Sequence, residues 1–218
     1  SFIIPRTIHH GPGAVESLSG ILARRALVVT DQGVRDLGII NRIEKILSSR
    51  DTEVVVFDQV EPDPSRETAD KIFSMAQDFK PDVFIGLGGG SPIDAGKAAW
   101  LFYEHPDMAD MHLYDVAKEA PSRVLRKKAR YIAIPTTSGT GSEVTGAAVI
   151  TARDIKPPLK VGFRSPELNP DIAIADPELA ASMPPSVTAN TGFDALVHAI
   201  ECYVLTTPSD MVDPLCIL

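Results

Sequence analysis

A short apolar run that ends in a glycine-rich turn constrains the fold of this chain more than any other feature. The run Asp82-Val83-Phe84-Ile85 is followed directly by Gly86-Leu87-Gly88-Gly89-Gly90-Ser91-Pro92-Ile93-Asp94. Glycine has no Cβ, so its backbone can approach a ligand closely and its φ can be positive without penalty. Ser91 is predicted to be a helix N-cap, Pro92 the first helical residue and Asp94 the third position of a capping box. A strand, a glycine turn and a capped helix start predict a phosphate site at the positive end of a helix dipole.

Two better-known phosphate motifs do not match this segment. A dinucleotide fingerprint G-x-G-x-x-G that starts at Gly86 requires glycine at Ser91. The same fingerprint starting at Gly88 requires glycine at Ile93. A P-loop fails because its first glycine is again Ser91 and because Ala98 replaces the magnesium-binding hydroxyl. The alternative is a tight turn that packs a helix on a sheet without any ligand.

Composition and charge exclude several classes of function. A chain of 218 residues with 44% apolar residues is long enough for one α/β domain, or for one domain and part of another. The net charge of −8 argues against nucleic-acid and membrane partners, and the basic run 123–130 is predicted to be a solvated loop or helix face. Cys202 and Cys216 make no disulfide framework, and no apolar stretch or signal peptide indicates membrane insertion or export. We therefore expect a cytoplasmic protein.

Strands and helices are predicted to alternate along the first two thirds of the chain. Strands are predicted at 26–30, 54–57, 83–87 and 131–134, and helices at 34–48, 65–79 and 92–102. This alternation predicts a Rossmann-like α/β fold, with a parallel sheet and helices on both faces. Ligands of such sheets bind at the carboxyl ends of the strands, where Asp31, the Gly88–Ser91 turn and residues 135–137 fall. The short apolar pieces 147–151, 159–163 and 172–175 are predicted to be strands of a smaller excursion, and helix is predicted from Ser186 onward.

Asp31 and a hydroxyl-rich segment are candidates for cofactor binding. A carboxylate after the first strand can accept both hydroxyls of an adenosine ribose and repels a 2′-phosphate, so Asp31 predicts NAD(H) over NADP(H). The alternative is an Asp that only starts a turn before Gly33. The segment 136–145 combines many hydroxyls with two glycines after a strand, which suits phosphate and ribose oxygens. A plain loop is the alternative there.

Asp194 and His198 are candidates for metal binding. They stand at i and i+4 and therefore share one helical face. This spacing suits two ligands of one divalent metal ion, although iron, zinc or manganese would need further ligands. The alternative is an ordinary surface pair. Cys202, one turn further on, is predicted to pack rather than to coordinate.

Together these segments resemble the iron-containing (group III) alcohol dehydrogenase family, nearly from end to end. The matching motifs are residues 88–94, 135–145, 176–179, 183–185 and 191–201. The region around 102–106 also resembles the alcohol dehydrogenase half of bifunctional aldehyde–alcohol dehydrogenases. The resemblance implies an NAD-binding α/β domain in residues 1–184 and the beginning of a helical metal and substrate domain in residues 185–218.

The resemblance implies an NAD(H)-dependent alcohol dehydrogenase or aldehyde reductase. A divalent metal ion, Fe²⁺ or Zn²⁺, would act as Lewis acid for hydride transfer to or from a small alcohol or aldehyde. A homo-oligomer is also expected.

By motif position the resemblance assigns each candidate residue a role, and no catalytic side chain is assigned. Asp31 would bind the adenosine ribose, Gly88, Gly89, Gly90 and Ser91 the pyrophosphate, Asp94, Thr136, Thr137, Thr140, Ser142 and Leu179 the rest of the cofactor, Lys160 the nicotinamide ribose, and Asp194 and His198 the metal.

The sequence departs from the family pattern in its length. Family chains are longer and carry two further histidine ligands, so we expect a fragment of a dehydrogenase that is inactive alone and exposes apolar surface beyond Ser186. Glycerol dehydrogenases and dehydroquinate synthases, which share the superfold, remain alternatives. A non-catalytic nucleotide-binding protein remains another.

Overall fold

The computed structural model describes residues 3–204 and 212–216. Eight strands are assigned in this part of the chain: β1 Thr7–His10, β2 Arg25–Val29, β3 Glu53–Phe57, β4 Val83–Gly88, β5 Arg130–Pro135, β6 Ala147–Ala152, β7 Leu159–Arg164 and β8 Ile172–Ala175. Its α-helices are α1 Gln32–Asp36, α2 Ile39–Ser48, α3 Arg66–Phe79, α4 Gly90–Glu104, α5 Leu113–Glu119, α6 Pro177–Ala180 and α7 Pro185–Val204. Short 3-10 helices lie at Ala14–Gly20, Pro106–Asp110, Ala120–Ser122, Ser142–Val144, Pro166–Leu168 and Asp213–Cys216.

Six strands form one parallel sheet in the order β1-β8-β5-β4-β2-β3. The predicted Rossmann-like fold is therefore confirmed. Two strands differ from the prediction. Strand β1 was not predicted, because it is a short edge strand of mostly exposed residues without an apolar run. Strand β8 was predicted to belong to the smaller excursion, but it pairs with β5 and β1 inside the main sheet. Strands β6 and β7 do form a separate antiparallel pair.

The sheet is buried on both faces, which explains its continuous apolar strands. On one face, Leu27, Phe84 and Tyr131 pack with helices α3 and α4. On the other face, Val28 and Ile85 pack with α2 and the 3-10 helix Ala14–Gly20. Helices on both faces were predicted from the alternation and are confirmed.

The predicted helix 34–48 is two helices. Gly38 has a φ of 73° and separates α1 from α2. A left-handed residue cannot continue an α-helix, and glycine adopts this conformation at little cost. Helix α1 begins at Asp31, whose Oδ1 accepts a hydrogen bond of 3.0 Å from the Val34 N–H. Asp31 therefore acts as a helix cap, in agreement with the alternative that it only starts a turn before Gly33. Its second carboxylate oxygen does not take part in this cap.

The predicted start of α4 is wrong by two residues. Gly89, not Ser91, is the N-cap, and no side chain caps this helix. Asp94 closes no capping box, because its Oδ2 accepts a hydrogen bond of 3.0 Å from the Val149 N–H of strand β6 instead. The glycine turn enters the helix directly, so the first N–H groups of the helix are left for another acceptor.

The basic run 123–130 lies mostly in a loop with exposed Lys127, Lys128 and Arg130, as predicted, but Arg126 is an exception. Arg126 is largely buried, with its side chain 16% exposed, and its Nε lies 2.7 Å from Asp171. Its guanidinium also donates to backbone oxygens of Glu167 and Asn169 and lies over the Trp100 ring. This arginine binds loops to the core rather than facing solvent.

Within the described ranges no helix combines the length and the apolar character that crossing a bilayer requires.

Candidate nucleotide-binding site

The carboxyl ends of strands β2, β4 and β5 meet at one edge of the sheet. The strand order reverses direction between β2 and β4, and such a switch point opens a crevice where α/β sheets bind ligands. The Thr136 N–H donates a 2.9 Å hydrogen bond to the Gly88 carbonyl. Asp31 Oδ2 lies 3.2 Å from where a Cβ on Gly88 would be. The predicted convergence of these three motifs is confirmed.

The glycine turn excludes a side chain at Gly88 and is bordered closely by hydroxyl groups at Gly89 and Gly90. Gly88 has a φ of 142°, and a Cβ there would lie only 2.7 Å from the ring of Pro92. A Cβ on Gly89 would lie 3.5 Å from the Thr137 hydroxyl oxygen. A Cβ on Gly90 would lie 3.3 Å from Ser142 Oγ. The hydroxyl segment therefore lies directly over the turn, and the missing side chains keep the backbone open to a ligand.

The N-terminus of helix α4 offers unpaired donors to this crevice. The N–H groups of Gly90 and Ser91 have no backbone acceptor among the described residues, and Pro92 has no N–H. Helix α4 has 15 residues, so its dipole favours negative charge at this end. Unpaired N–H groups at the positive end of a long helix suit the oxygens of a diphosphate.

The hydroxyl segment has one orphaned buried group. Thr136 and Ser142 are buried, and Thr140 Oγ1 accepts a 3.4 Å hydrogen bond from the Ser142 N–H. Thr137 Oγ1 is buried and has no hydrogen-bond partner in the described part of the chain. A buried hydroxyl without a partner is costly and calls for an explanation, which a bound ligand or water would supply. The plain-loop interpretation does not account for this group.

Asp94 and Lys97 are ionisable side chains one turn apart on helix α4, behind the glycine turn. Asp94 Oδ1 has no hydrogen-bond partner among the residues described, and burial raises the pKa of this carboxyl to about 6 although the Lys97 ammonium opposes the shift. Lys97 is fully buried, and burial lowers its pKa to about 8 against the attraction of Asp94 and Glu143. From the sequence, Lys97 was assigned no role. Its position inside an apolar helix was the available signal that it is buried.

Two predicted cofactor residues lie apart from the turn. Lys160 on β7 is half-exposed and pairs with Asp63 at 2.6 Å. Leu179 on α6 is only 4% exposed and packs in the core on the α2 side of the sheet. The described contacts bring neither residue to Gly88–Ser91, and their assignment to the cofactor stays a prediction.

Gly86 and Gly96 are glycines for a packing reason. A Cβ on Gly86 would lie 2.3 Å from the Tyr131 hydroxyl oxygen, and one on Gly96 would lie 2.4 Å from the same atom. Tyr131 is fully buried, and its hydroxyl donates a 2.7 Å hydrogen bond to the Ile93 carbonyl. The alternative of a tight packing turn is therefore correct for Gly86, but the space above Gly89 and Gly90 is bordered by hydroxyls.

Asp194 and His198 face each other on helix α7, with 3.8 Å between Asp194 Oδ1 and His198 Nε2. Both side chains are about half exposed. No group of three or more His, Cys, Asp or Glu side chains suited to a metal occurs among residues 3–204 and 212–216. Two donors alone do not complete a site for iron or zinc. The described residues therefore do not by themselves form the predicted metal centre.

The apolar side of helix α7 is uncovered. Phe193, Leu196, Ile200 and Tyr203 are each more than half exposed, and no residue of this helix is buried. The helix approaches the hydroxyl segment at Thr191, whose carbonyl oxygen would lie 2.0 Å from a Cβ on Gly139. The predicted domain boundary at residues 184 and 185 stays a prediction.

The sheet and its crevice define a doubly wound α/β protein. Residues 5–177 match the family described as iron-containing alcohol dehydrogenase. The chain therefore belongs to the iron-containing alcohol dehydrogenase family, as the resemblance indicated.

Similar proteins agree with this family. The chain is 44% identical to an NADPH-dependent butanol dehydrogenase of Clostridium saccharobutylicum, over 98% of its own length and 54% of that protein. It is 45% identical to an aldehyde-alcohol dehydrogenase of Streptococcus pneumoniae, over 88% of its length and 22% of that protein. The structure matches an iron-containing alcohol dehydrogenase of Thermococcus thioreducens with a TM-score of 0.87 at 32% identity, covering 100% of this chain and 57% of the other. The chain thus spans about half the length, or less, of these relatives.

Proposed function

We propose that this chain binds a nicotinamide dinucleotide, NAD(H), in the crevice at the carboxyl ends of β2, β4 and β5, as part of an alcohol dehydrogenase. The observation that carries the proposal is the glycine turn at the start of α4, which lies beneath the hydroxyls of Thr137 and Ser142. Among the described residues, the N–H groups of Gly90 and Ser91 have no acceptor there. Such a turn accepts a diphosphate without displacing any side chain. The orphaned Thr137 hydroxyl would gain a partner on binding.

The residues of this chain orient and select the cofactor. The N–H groups of Gly90 and Ser91 would hold the pyrophosphate, while Asp31 Oδ2, on the other side of Gly88, would accept hydroxyls of the adenosine ribose. Lys160 and Leu179 belong to this proposal only by family resemblance. The bound nicotinamide supplies a carbon that takes or gives a hydride.

The substrate would be a small alcohol or aldehyde, with which the named relatives are also associated. Asp194 and His198 would supply two ligands of Fe²⁺ or Zn²⁺, and the other ligands would have to come from outside the described residues. Two donors alone do not complete such a centre.

An activity assay separates this proposal from its rivals. A longer protein that contains this chain and the remaining metal ligands, supplied with NAD⁺, Fe²⁺ or Zn²⁺ and primary alcohols, should accumulate NADH, which is measured by absorbance. The 218 residues alone should bind nucleotide without turnover. Net NADH formation would exclude a lyase such as a dehydroquinate synthase, in which redox is only transient. Nucleotide binding by the longer protein without turnover under every metal would favour the non-catalytic alternative. Turnover with glycerol but not with primary alcohols would favour a glycerol dehydrogenase.

The Asp31→Asn variant tests the preference for NADH over NADPH. Asparagine is also a good N-cap, so the bond to Val34 and helix α1 should persist, whereas the charge that repels a 2′-phosphate is removed. We expect wild-type protein to bind NADH more tightly than NADPH. In the variant, the ratio of the NADPH to the NADH dissociation constant should fall about tenfold, which corresponds to about 1.4 kcal/mol. Fluorescence titration with both reduced nucleotides measures it.

The matched control is Asp36→Asn at the other end of α1, where Asp36 Oδ1 accepts a bond from Gln32. It changes net charge equally and should leave the preference unchanged. A wild-type preference for NADPH, or equal changes in both variants, would contradict the role of Asp31. The NADPH dependence in the name of the Clostridium relative makes this measurement decisive for the cofactor.

A further inference from the structure

Lys97 is a buried cation that the proposed cofactor contacts do not use. It lies on helix α4, seven residues after Gly90, and is 0% exposed. Its Nζ donates hydrogen bonds to three backbone carbonyls, Ser142 at 2.7 Å, Thr145 at 2.5 Å and Ala147 at 3.0 Å. A lysine ammonium has three N–H donors, so all of them are used, and all on one short segment.

Two acceptors of Lys97, Ser142 and Thr145, lie in the hydroxyl segment that borders the glycine turn, and the third, Ala147, begins strand β6. Ser142 places its Oγ 3.3 Å from the Cβ position of Gly90, and Thr140 lies 3.4 Å from the same point. Other contacts also position this segment: Asp94 of α4 interacts with the Ser142 side chain and accepts a 3.0 Å bond from the Val149 N–H, and Ala147 pairs with Arg164 on β7. The three bonds of Lys97 join helix α4 directly to the backbone of residues 142–147.

We propose that Lys97 is a positioning residue for cofactor binding: its ammonium holds residues 142–147 against helix α4, and thereby sets the hydroxyls of Thr140 and Ser142 above the phosphate-binding turn. This inference rests on the proposed nucleotide site. Lys97 touches no cofactor atom, but its charge lies behind the turn that would bind a diphosphate. It therefore favours an anion there both through the segment it holds and through its field.

The protonation state of Lys97 gives this role a measurable signature. Burial lowers its pKa to about 8, and a neutral amine has only two N–H donors for three carbonyls. The charged groups that face it are Asp94 on its own helix and Glu143 on the segment. Tyr131 on β5 stays neutral in this range, because burial raises the pKa of its hydroxyl well above 10. A bound diphosphate would favour the protonated lysine, so NADH affinity should fall as pH rises above about 8.

The free energy of unfolding should change with pH in the direction opposite to the NADH affinity. The pKa of Lys97 is lower in the folded chain than the value of about 10.4 for a free lysine, so between the two values the unfolded chain binds more protons. The contribution of Lys97 to the free energy of unfolding therefore rises with pH in this window. A residue that merely stabilised the fold would not weaken NADH binding under conditions where its contribution to stability increases.

The experiment compares wild-type protein with Lys97→Met and Lys128→Met by NADH fluorescence titration between about pH 7.5 and 9.5. Methionine keeps the length of the buried side chain and removes the donors. Lys128 also donates to a backbone carbonyl, that of Tyr103, but far along α4 from the turn, so its variant is the matched control. We expect Lys97→Met to bind NADH at least about tenfold more weakly near pH 7.5. We expect its affinity to be independent of pH, whereas wild type and control lose up to about tenfold per pH unit above pH 8.

Each outcome decides between the two proposals. If wild-type protein binds NADH at no pH, the nucleotide site itself fails, and this inference fails with it. If wild-type protein binds NADH but Lys97→Met binds it equally well, the site stands and the role of Lys97 is wrong. Should the variant not fold, the wild-type profile decides alone, because an affinity that is constant from about pH 7.5 to 9.5 would overturn the inference.

Discussion

Replacing Gly86 with alanine should destabilise the protein by about 3 kcal/mol. Gly86 is buried in β4, and the new Cβ would lie 2.3 Å from the Tyr131 hydroxyl oxygen and 3.0 Å from the Ile93 Cα. The tyrosine cannot simply turn away, because its ring is fully buried and its hydroxyl is bonded to Ile93. Alanine would therefore have to displace strand β5 or helix α4. Urea unfolding, followed by the fluorescence of buried Trp100, measures the loss.

A double-mutant cycle identifies the cause. Tyr131→Phe alone should cost about 1 kcal/mol for its lost hydrogen bond. In the Gly86→Ala background the same change removes the atom that clashes, so the double variant should be more stable than the sum of the single variants predicts by about 1 kcal/mol or more. Gly20→Ala is the control, because nothing lies within 4 Å of a Cβ there. Strict additivity would show that the cost of alanine has another origin.

The sheet could be predicted from sequence because its strands are buried on both faces. Continuous apolar runs mark β2, β4 and β5, and their order places Asp31, Gly88 and Thr136 at one edge without any knowledge of contacts. Strand β1 was not predicted because an exposed edge strand needs no apolar run. Strand β8 was assigned to the wrong sheet, since four apolar residues carry no information about which strands they pair with.

The site was predictable where glycine and hydroxyl patterns are local, and unpredictable where partners are distant in the chain. The glycine turn and the segment 136–145 were predicted. Asp94 was predicted to close a local capping box, but its carboxylate accepts a hydrogen bond from Val149, 55 residues away. Lys97 was missed for the same reason: its three acceptors lie 45 to 50 residues further along the chain. Periodicity places a lysine on a helix, but it does not indicate what a buried ammonium binds.

The Gly90→Val variant should lose about 100-fold or more in NADH affinity while the protein remains folded. The Cβ of valine would approach Ser142 Oγ to 3.3 Å and Thr140 to 3.4 Å, and its methyl groups would extend into the space between the turn and these hydroxyls. Gly90 has no positive φ, so a valine at the start of α4 strains no backbone. A 100-fold loss corresponds to about 2.7 kcal/mol, which is in the range of one hydrogen bond to a charged group such as a phosphate.

This variant separates the two interpretations of the glycine turn. If the turn served only to pack α4 on the sheet, wild-type protein would bind no nucleotide, and Gly90→Val would only lower the stability of the fold. If the turn holds a diphosphate, affinity should be lost with little change in the urea midpoint. Gly20→Val, at a site with open space, should leave both quantities unchanged. The contrast with Gly86→Ala then completes the argument, because two glycines four residues apart would serve different ends: Gly86 admits a tyrosine from β5, and Gly90 admits a ligand from solvent.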